Sequence, residues 1–200
     1  MSIVDVPYYR VKNLTLRPVL FSGEQGGDLG NPVLPLPRLG DRFALDVTTD
    51  RLRNDPAGRQ LMAALFEASN GSARFPVRLP NQARAYPSSI AVDGAGQAGM
   101  TIAIKGSVPG LFFRRGDLFN LIHGGRRYLH MVAGPGSPAT SADGKVIVPI
   151  WPMLRVLTND GDRIDFVAPQ IEGQLKGIDR GAAFARNRTD PYSFSITERE

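Results

Sequence analysis

The sequence lacks cysteine altogether, and its 200 residues include only two histidines and one tryptophan. The absence of cysteine excludes a disulfide framework, a thiolate metal site and a cysteine nucleophile. No apolar run approaches the ~20 residues that a membrane-spanning helix needs, so we expect no membrane insertion. The first ten residues carry Asp5 and no basic leader region, which argues against a secretory signal peptide.

Glycine and proline, by contrast, are abundant, with 22 and 16 residues and no repeat period. Hydrophobic residues make up 42% and charged residues 22% of the chain, which is ordinary for a protein that buries a core. Frequent glycines and prolines beside a normal core content indicate many short strands joined by turns. They argue against a helix bundle.

The chain is mildly basic, with 24 Lys and Arg against 19 Asp and Glu and a net charge of +5. The basic residues are scattered among turns, and only residues 176–188 are locally rich in them. Because no nucleic-acid-binding motif accompanies the charge, nucleic acid is not an expected partner.

One segment has the pattern of an amphipathic helix. Asp55 is a suitable N-cap, Pro56 suits the first helical position, and the Asn-Gly pair at 70–71 provides a stop signal. Between these signals an apolar stripe at helical spacing predicts packing against a sheet. The stripe consists of Leu61, Met62, Leu65 and Phe66.

Other segments have the alternating or β-branched pattern of strands. Pro18 marks the first of them as an edge strand, and Gly124-Gly125 predicts a hairpin turn because glycine tolerates positive φ. The predicted strands cover residues 11–20, 42–48, 74–79, 89–92, 100–105, 118–122, 126–132, 145–150, 164–168 and 192–197.

These patterns predict a mainly β fold, a β-sandwich with one α-helix plus a small inserted β-barrel-like domain. The strands beyond residue 89 are short and closely spaced, as in small barrels. Tyr192, Phe194 and Ile196 alternate with polar residues, so the last strand needs a partner sheet. We therefore assign residues 1–86 together with 160–200 to the sandwich domain and 87–159 to the inserted barrel.

A glycine motif and the two histidines yield no predicted chemistry. Residues 94–99 read G-x-G-x-x-G, but a β-branched strand follows where a nucleotide site requires a helix. His123 falls in the hairpin turn, where we expect it exposed, and His130 falls in a strand as a partly buried structural residue. No nucleophile–base pair or metal-ligand spacing is recognisable, so no catalytic, cofactor-binding or metal residue is predicted.

Two stretches, residues 21–40 and 173–191, are predicted as long loops because of their glycine and proline content. They hold apolar residues with no periodic place in a sheet, and such residues favour burial on a neighbouring subunit. Paired arginines predicted to flank the hairpin are either solvated turn charges or subunit contacts through carboxylates. The candidate subunit-contact residues are Phe21, Leu34, Leu36, Arg114, Arg115, Arg126, Arg127, Ile178 and Phe184.

The order of short motifs along the chain resembles one family. The series includes Gly40-Asp41-Arg42-Phe43, Arg115-Gly116-Asp117-Leu118-Phe119, Arg127-Tyr128-Leu129-His130-Met131-Val132, Ile150-Trp151-Pro152-Met153-Leu154-Arg155 and Phe194-Ser195-Ile196-Thr197-Glu198. Over about residues 41–198 this order resembles the distal tail proteins of long-tailed, siphovirus-like bacteriophages and prophages.

The resemblance implies a structural virion protein, assembled in the host cytoplasm, that forms a ring at the distal end of the tail tube. The ring would connect the tube to the tip or baseplate hub. The implied partners are further copies of the chain (a hexamer by resemblance), the tail tube protein and the tip hub protein, with no cofactor or small-molecule substrate.

Two other function classes remain open at this point. The barrel could be a host-surface carbohydrate-binding module of the tail tip, although the one tryptophan, Trp151, stands between Ile150 and Pro152 rather than on an open platform. A hydrolase is the weaker alternative because no nucleophile–base pair can be named.

Overall fold

A computed structural model describes residues 2–21, 23–25, 34–36, 40–79, 86–178, 184–185 and 188–199. These residues form a mainly β fold with one helix and a small closed barrel, which confirms the predicted fold class. The elements in chain order are β1 (Ile3–Asp5), β2 (Val11–Val19), β3 (Gly23–Gln25), β4 (Leu34–Leu36), β5 (Arg42–Thr49), β6 (Leu52–Arg53), α1 (Pro56–Ser69), β7 (Ser72–Pro76), β8 (Ala91–Val92), β9 (Gly99–Lys105), β10 (Leu118–His123), β11 (Arg126–Val132), β12 (Val146–Leu154), β13 (Arg163–Asp165), β14 (Gln170–Lys176), β15 (Phe184–Ala185), β16 (Arg188–Thr189) and β17 (Ser193–Glu198).

Six strands form an open sheet in the order β1-β7-β14-β17-β5-β2. β1 and β7 pair in parallel, and the other neighbours are antiparallel. β2 lies at one edge, as Pro18 predicts, because an edge position lets the proline nitrogen face away from the neighbouring strand. The predicted alternation of the last strand is also observed, since Phe194 and Ile196 are buried.

Helix α1 packs against β1, β7 and β14 of this sheet. Its N-cap forms as predicted, with the Gly58 N–H donating to Asp55 Oδ1 at 2.7 Å. The buried stripe runs through Gly58, Leu61, Leu65 and Ala68. Phe66, which we placed on the stripe, is exposed, because one residue after Leu65 the helix has turned about 100° away from the sheet.

The other large sheet is a closed barrel in the order β10-β11-β12-β9-β8-β13. The hairpin between β10 and β11 turns at Gly124 and Gly125, whose φ angles of 57° and 79° are both positive, as predicted. The predicted boundary at residue 159 needs correction. Arg163–Asp165 pairs with β10 and β8, so the barrel sheet extends to residue 165.

The two sheets have separate cores that meet at one side of the barrel. Stacked rings of Tyr86, Phe119 and Phe166 lie in the barrel core. Leu118 and Leu129 belong to barrel strands but pack in the core of the open sheet. The barrel therefore rests directly on the open sheet.

Several strands lie in segments that we predicted as loops or for which we predicted no strand. β3 and β4 pair inside the predicted loop 21–40, and β14 occupies the start of the predicted loop 173–191. β1 and β6 were not predicted, since three and two residues are too few to show alternation. Within the described residues, no helix has both the length and the apolar character that crossing a bilayer requires.

Candidate functional site

The first predicted loop starts and returns at one edge of the open sheet. β2 and β5 are antiparallel neighbours there, with Val19 opposite Arg42. Residues 20–41 connect them, although about two to five residues suffice for a hairpin. Within the connection, β3 and β4 pair with each other. We call residues 22–39 the arm.

The two ends of the arm are held together by contacts at its base. The Phe21 N–H donates to Asp41 Oδ1 at 2.7 Å. Gly40 has a φ of 144°, in the region that favours glycine, and a Cβ there would lie 3.2 Å from the Phe21 Cβ. The base is therefore a fixed point on the sheet edge.

Apolar surface is exposed beside this base. Leu20 is 60% and Phe21 45% exposed. The Arg42 guanidinium lies over the Phe21 ring, 4.4 Å from its centroid, in a cation–π contact. Phe21 is thus held in place and remains accessible to a neighbouring chain.

The remaining apolar candidates do not add to this surface. Ile178 is buried in the core of the open sheet, so it contacts its own domain and the prediction of a subunit contact there is corrected. Ile178 is buried because it comes two residues after β14, which is a strand of the open sheet. Leu34 and Leu36 lie in β4 and Phe184 in β15, but their side chains fall outside the described part of the structure.

The four candidate arginines do not form one patch. Arg126 lies opposite His123 at the turn of the β10–β11 hairpin. Arg114 and Arg115 precede β10 at its other end, where the Gly116 N–H bonds to the Val132 carbonyl. The two pairs are thus separated by the six residues of β10, about 20 Å of strand. Arg114, Arg115 and Arg126 are exposed.

Arg127 belongs instead to a polar network between the barrel and the open sheet. Its guanidinium pairs with Asp165 at 3.2 Å, and its backbone N–H donates to Glu172 at 3.3 Å. Nearby, the fully buried Asn120 donates to the Gln170 carbonyl at 2.7 Å and accepts the Gln170 N–H at 2.6 Å. These bonds fix the point where the chain leaves the barrel for β14, so Arg127 is not free for a subunit contact.

A buried ion pair, which we call the joint, fastens the end of the chain to the barrel. The Glu198 side chain is 1% and the Arg155 side chain 6% exposed, with 2.9 Å between Oε1 and Nη2. The same carboxylate accepts N–H groups from Leu129 in the barrel, at 2.8 Å, and from Phe43 in the open sheet, at 3.0 Å. Burial raises the pKa of the Glu198 carboxyl, and Arg155 and the two N–H groups act against that rise. One carboxylate thus bonds to both parts of the fold.

Trp151 lies at the same boundary. Its ring packs edge-on against Phe43, with 4.7 Å between centroids. This agrees with the expectation that an apolar-flanked tryptophan is a packing residue. The ring is half-buried, so it does not form an open platform.

Sequence reasoning missed the joint, although one signal was present. The alternation Tyr192, Phe194, Ile196 continues to position 198, so Glu198 had to point inward with them. An inward carboxylate requires a buried partner. Its partner Arg155 is 43 residues away along the chain, and no pattern connects the two.

The histidines serve the fold in the described structure. His130 is fully buried, donates from Nδ1 to the Pro152 carbonyl at 2.9 Å and stacks on Phe119. Burial and the nearby Arg155 charge lower its pKa to about 3, so the ring is neutral. His123 is not a free turn residue, because its Nδ1 lies 2.7 Å from Asp162. Among the described residues, no three His, Asp or Glu side chains are grouped to hold a metal ion.

Comparison with known proteins adds no relative to this picture, since neither a protein-family model nor a curated protein matches the chain.

Proposed function

We propose that the chain is a structural protein of a bacteriophage tail. In this proposal it forms a ring at the distal end of the tail tube and connects the tube to the tip hub. Its partners are further copies of itself, the tail tube protein and the hub protein. It works in the virion after assembly in the host cytoplasm, without catalysis or cofactor.

The arm is the observation that carries this proposal. The open sheet needs no more than a short turn between β2 and β5, yet 22 residues connect them. The described residues of this connection contribute no strand to the open sheet. A segment that its own sheet does not require is available to bind a neighbouring copy.

The surroundings of the arm support the same reading. Leu20 and Phe21 expose apolar surface at its base, and burying such surface favours association. A ring closes through heterologous contacts, in which one surface of each copy meets a different surface of the next. An arm anchored at one edge of a sheet suits such a contact, in which it would bind a different surface of the next copy.

The carbohydrate-binding alternative has less support. Sugar sites generally use an open aromatic face, whereas Trp151 packs on Phe43 at the boundary between barrel and sheet. Phe112, 54% exposed, is the one exposed aromatic residue of the described barrel, and no second exposed ring accompanies it. We therefore propose the structural role rather than carbohydrate binding.

Replacing the arm, residues 22–39, by Asn-Gly should abolish assembly and leave the fold intact. Leu20, Phe21, Gly40 and Asp41 remain, so six residues then connect β2 to β5, close to the usual length of a connection. The melting temperature should therefore change by less than about 3 °C, which corresponds to ~1 kcal/mol in a chain of this size. Light scattering coupled to size exclusion should show a ring mass for the intact chain and a single-chain mass for the replaced one.

A point variant provides the matched test with the arm present. Leu20→Ser with Phe21→Ser should weaken assembly, whereas Ile147→Ser with Leu157→Ser, 66% and 67% exposed on the barrel, should not. An arm-replaced protein that still elutes at the ring mass would contradict the role of the arm.

A further inference from the structure

Three arginines line a pocket at the end of the β2–β5 pair opposite to the arm. The pocket is open, holds about 370 Å³, and is lined by Arg10, Asp50, Arg51, Leu52 and Arg53. Leu52 is buried in the core, while Arg51 and Arg53 on either side of it are exposed. We call these five residues the arginine pocket.

The backbone holds the pocket in an uncommon conformation. Arg10 has a φ of 47° and is the one non-glycine residue with positive φ in the described structure. Its carbonyl accepts the Asp50 N–H at 2.8 Å, which ties it to the strand that precedes Arg51. Such backbone persists where the surroundings fix it, and it is found most often at ligand sites and turns.

The pocket arginines have no ion pair within the part of the chain that the structure describes. There, Arg17, Arg74, Arg127 and Arg155 each pair with a carboxylate. None of the ion pairs found among described residues involves Arg10, Arg51 or Arg53. The lining thus carries three positive charges and one negative charge, a net charge of +2.

The nearby carboxylate of Asp55 is already committed to the fold. The Tyr9 hydroxyl donates to its Oδ2 at 2.6 Å, and the Gly58 N–H of the helix donates to its Oδ1 at 2.7 Å. Asp55 therefore caps α1 and fixes Tyr9, the neighbour of Arg10. Among the described residues its carboxylate makes no ion pair with a pocket arginine, although the nearby Arg53 charge helps to lower its pKa.

We propose that the arginine pocket binds a phosphate group. The planar guanidinium donates paired N–H groups that match the oxygens of phosphate. A dianionic phosphate neutralises the net charge of +2, whereas one carboxylate leaves half of it uncompensated. The phosphate could come from a free diphosphate or from a nucleic-acid strand, and the chemistry recognised is the same. This site is independent of the arm and of the proposed ring.

The test measures binding of two probes to the full chain at low salt. Pyrophosphate represents the free ligand in titration calorimetry, and a labelled single-stranded oligothymidylate represents the strand in fluorescence anisotropy. Arg51→Glu with Arg53→Glu should weaken binding at least about tenfold, because a charge-assisted bidentate contact is lost and repulsion is added. Arg114→Glu with Arg115→Glu changes the charge equally on the barrel and should stay within about twofold of the parent.

The outcomes separate the sources and can overturn the proposal. If only pyrophosphate binds, the ligand is a free phosphate compound. If both probes bind, the pocket also accepts the phosphates of a nucleic-acid strand. The proposal is wrong if the parent binds neither probe, if both arginine variants lose binding equally, or if poly-glutamate binds more tightly than pyrophosphate. Thermal melts of each variant show whether the fold is retained, and single substitutions Arg51→Ala and Arg53→Ala replace any variant that unfolds.

Discussion

Glu198→Ala should destabilise the protein by about 3–5 kcal/mol, the cost of removing one member of a buried ion pair. The substitution leaves the Arg155 guanidinium buried without its 2.9 Å partner. It also leaves the N–H groups of Phe43 and Leu129 without their acceptor. Because these groups come from both the open sheet and the barrel, the loss should loosen the contact between them.

Denaturant unfolding followed by tryptophan fluorescence measures this effect well. Trp151 is the one tryptophan and packs on Phe43 at the boundary that Glu198 holds. The matched control is Arg17→Ala, which removes an ion pair of 2.8 Å whose side chains are 47% and 44% exposed. That variant should lose less than about 1 kcal/mol, because water screens exposed pairs. Equal losses in the two variants would mean that the joint does not hold the barrel on the sheet.

Gly173→Ala should cost about 1–3 kcal/mol, the range found when a packed interior is overfilled. A Cβ at this position would lie 2.0 Å from the Thr197 carbonyl oxygen and 2.7 Å from the Glu198 Cα. Both atoms are backbone of β17, so the clash can be relieved only by moving one strand away from the other. Moving β17 would also displace Glu198 from Arg155.

Gln174→Ala is the control for this substitution, since Gln174 is exposed on the same strand and should change stability by less than about 0.5 kcal/mol. The double variant Gly173→Ala, Glu198→Ala should lose less than the two single losses added together, because both act on the same contact. A melting curve of Gly173→Ala that overlays the parent curve would show that β14 and β17 are not this close.

Much of the fold was predictable because its elements carry local signals. The helix has an N-cap, a proline at its first position and a stop signal, and all three are contained in one short segment. In the long strands, apolar and polar residues alternate, and this pattern is visible in the sequence. The Gly124-Gly125 turn needs positive φ twice in succession, which glycine supplies without strain.

The errors came where one residue type has two physical roles. Gly173 looked like a loop signal, but glycine in a strand also permits close approach of a neighbouring backbone, and that is its role in β14. Ile178 then looked like a loop residue in need of a partner subunit. With β14 in the sheet, its side chain is buried in its own domain.

The candidate site was only partly predictable because it depends on contacts distant along the chain. Phe21 was identifiable as an apolar residue without a periodic place, and it is exposed at the base of the arm. Arg127 looked like its neighbour Arg126 in sequence. Only the three-dimensional structure shows that Asp165, 38 residues away, has already paired with Arg127.

Electron microscopy of the purified chain in negative stain tests the central claim, that this protein is a ring-forming component of a phage tail, most directly. The account predicts closed rings with a central hole for the intact protein and no rings for the arm-replaced variant. Images of the intact protein that show only isolated particles of a single 21.7 kDa chain at every concentration would contradict it.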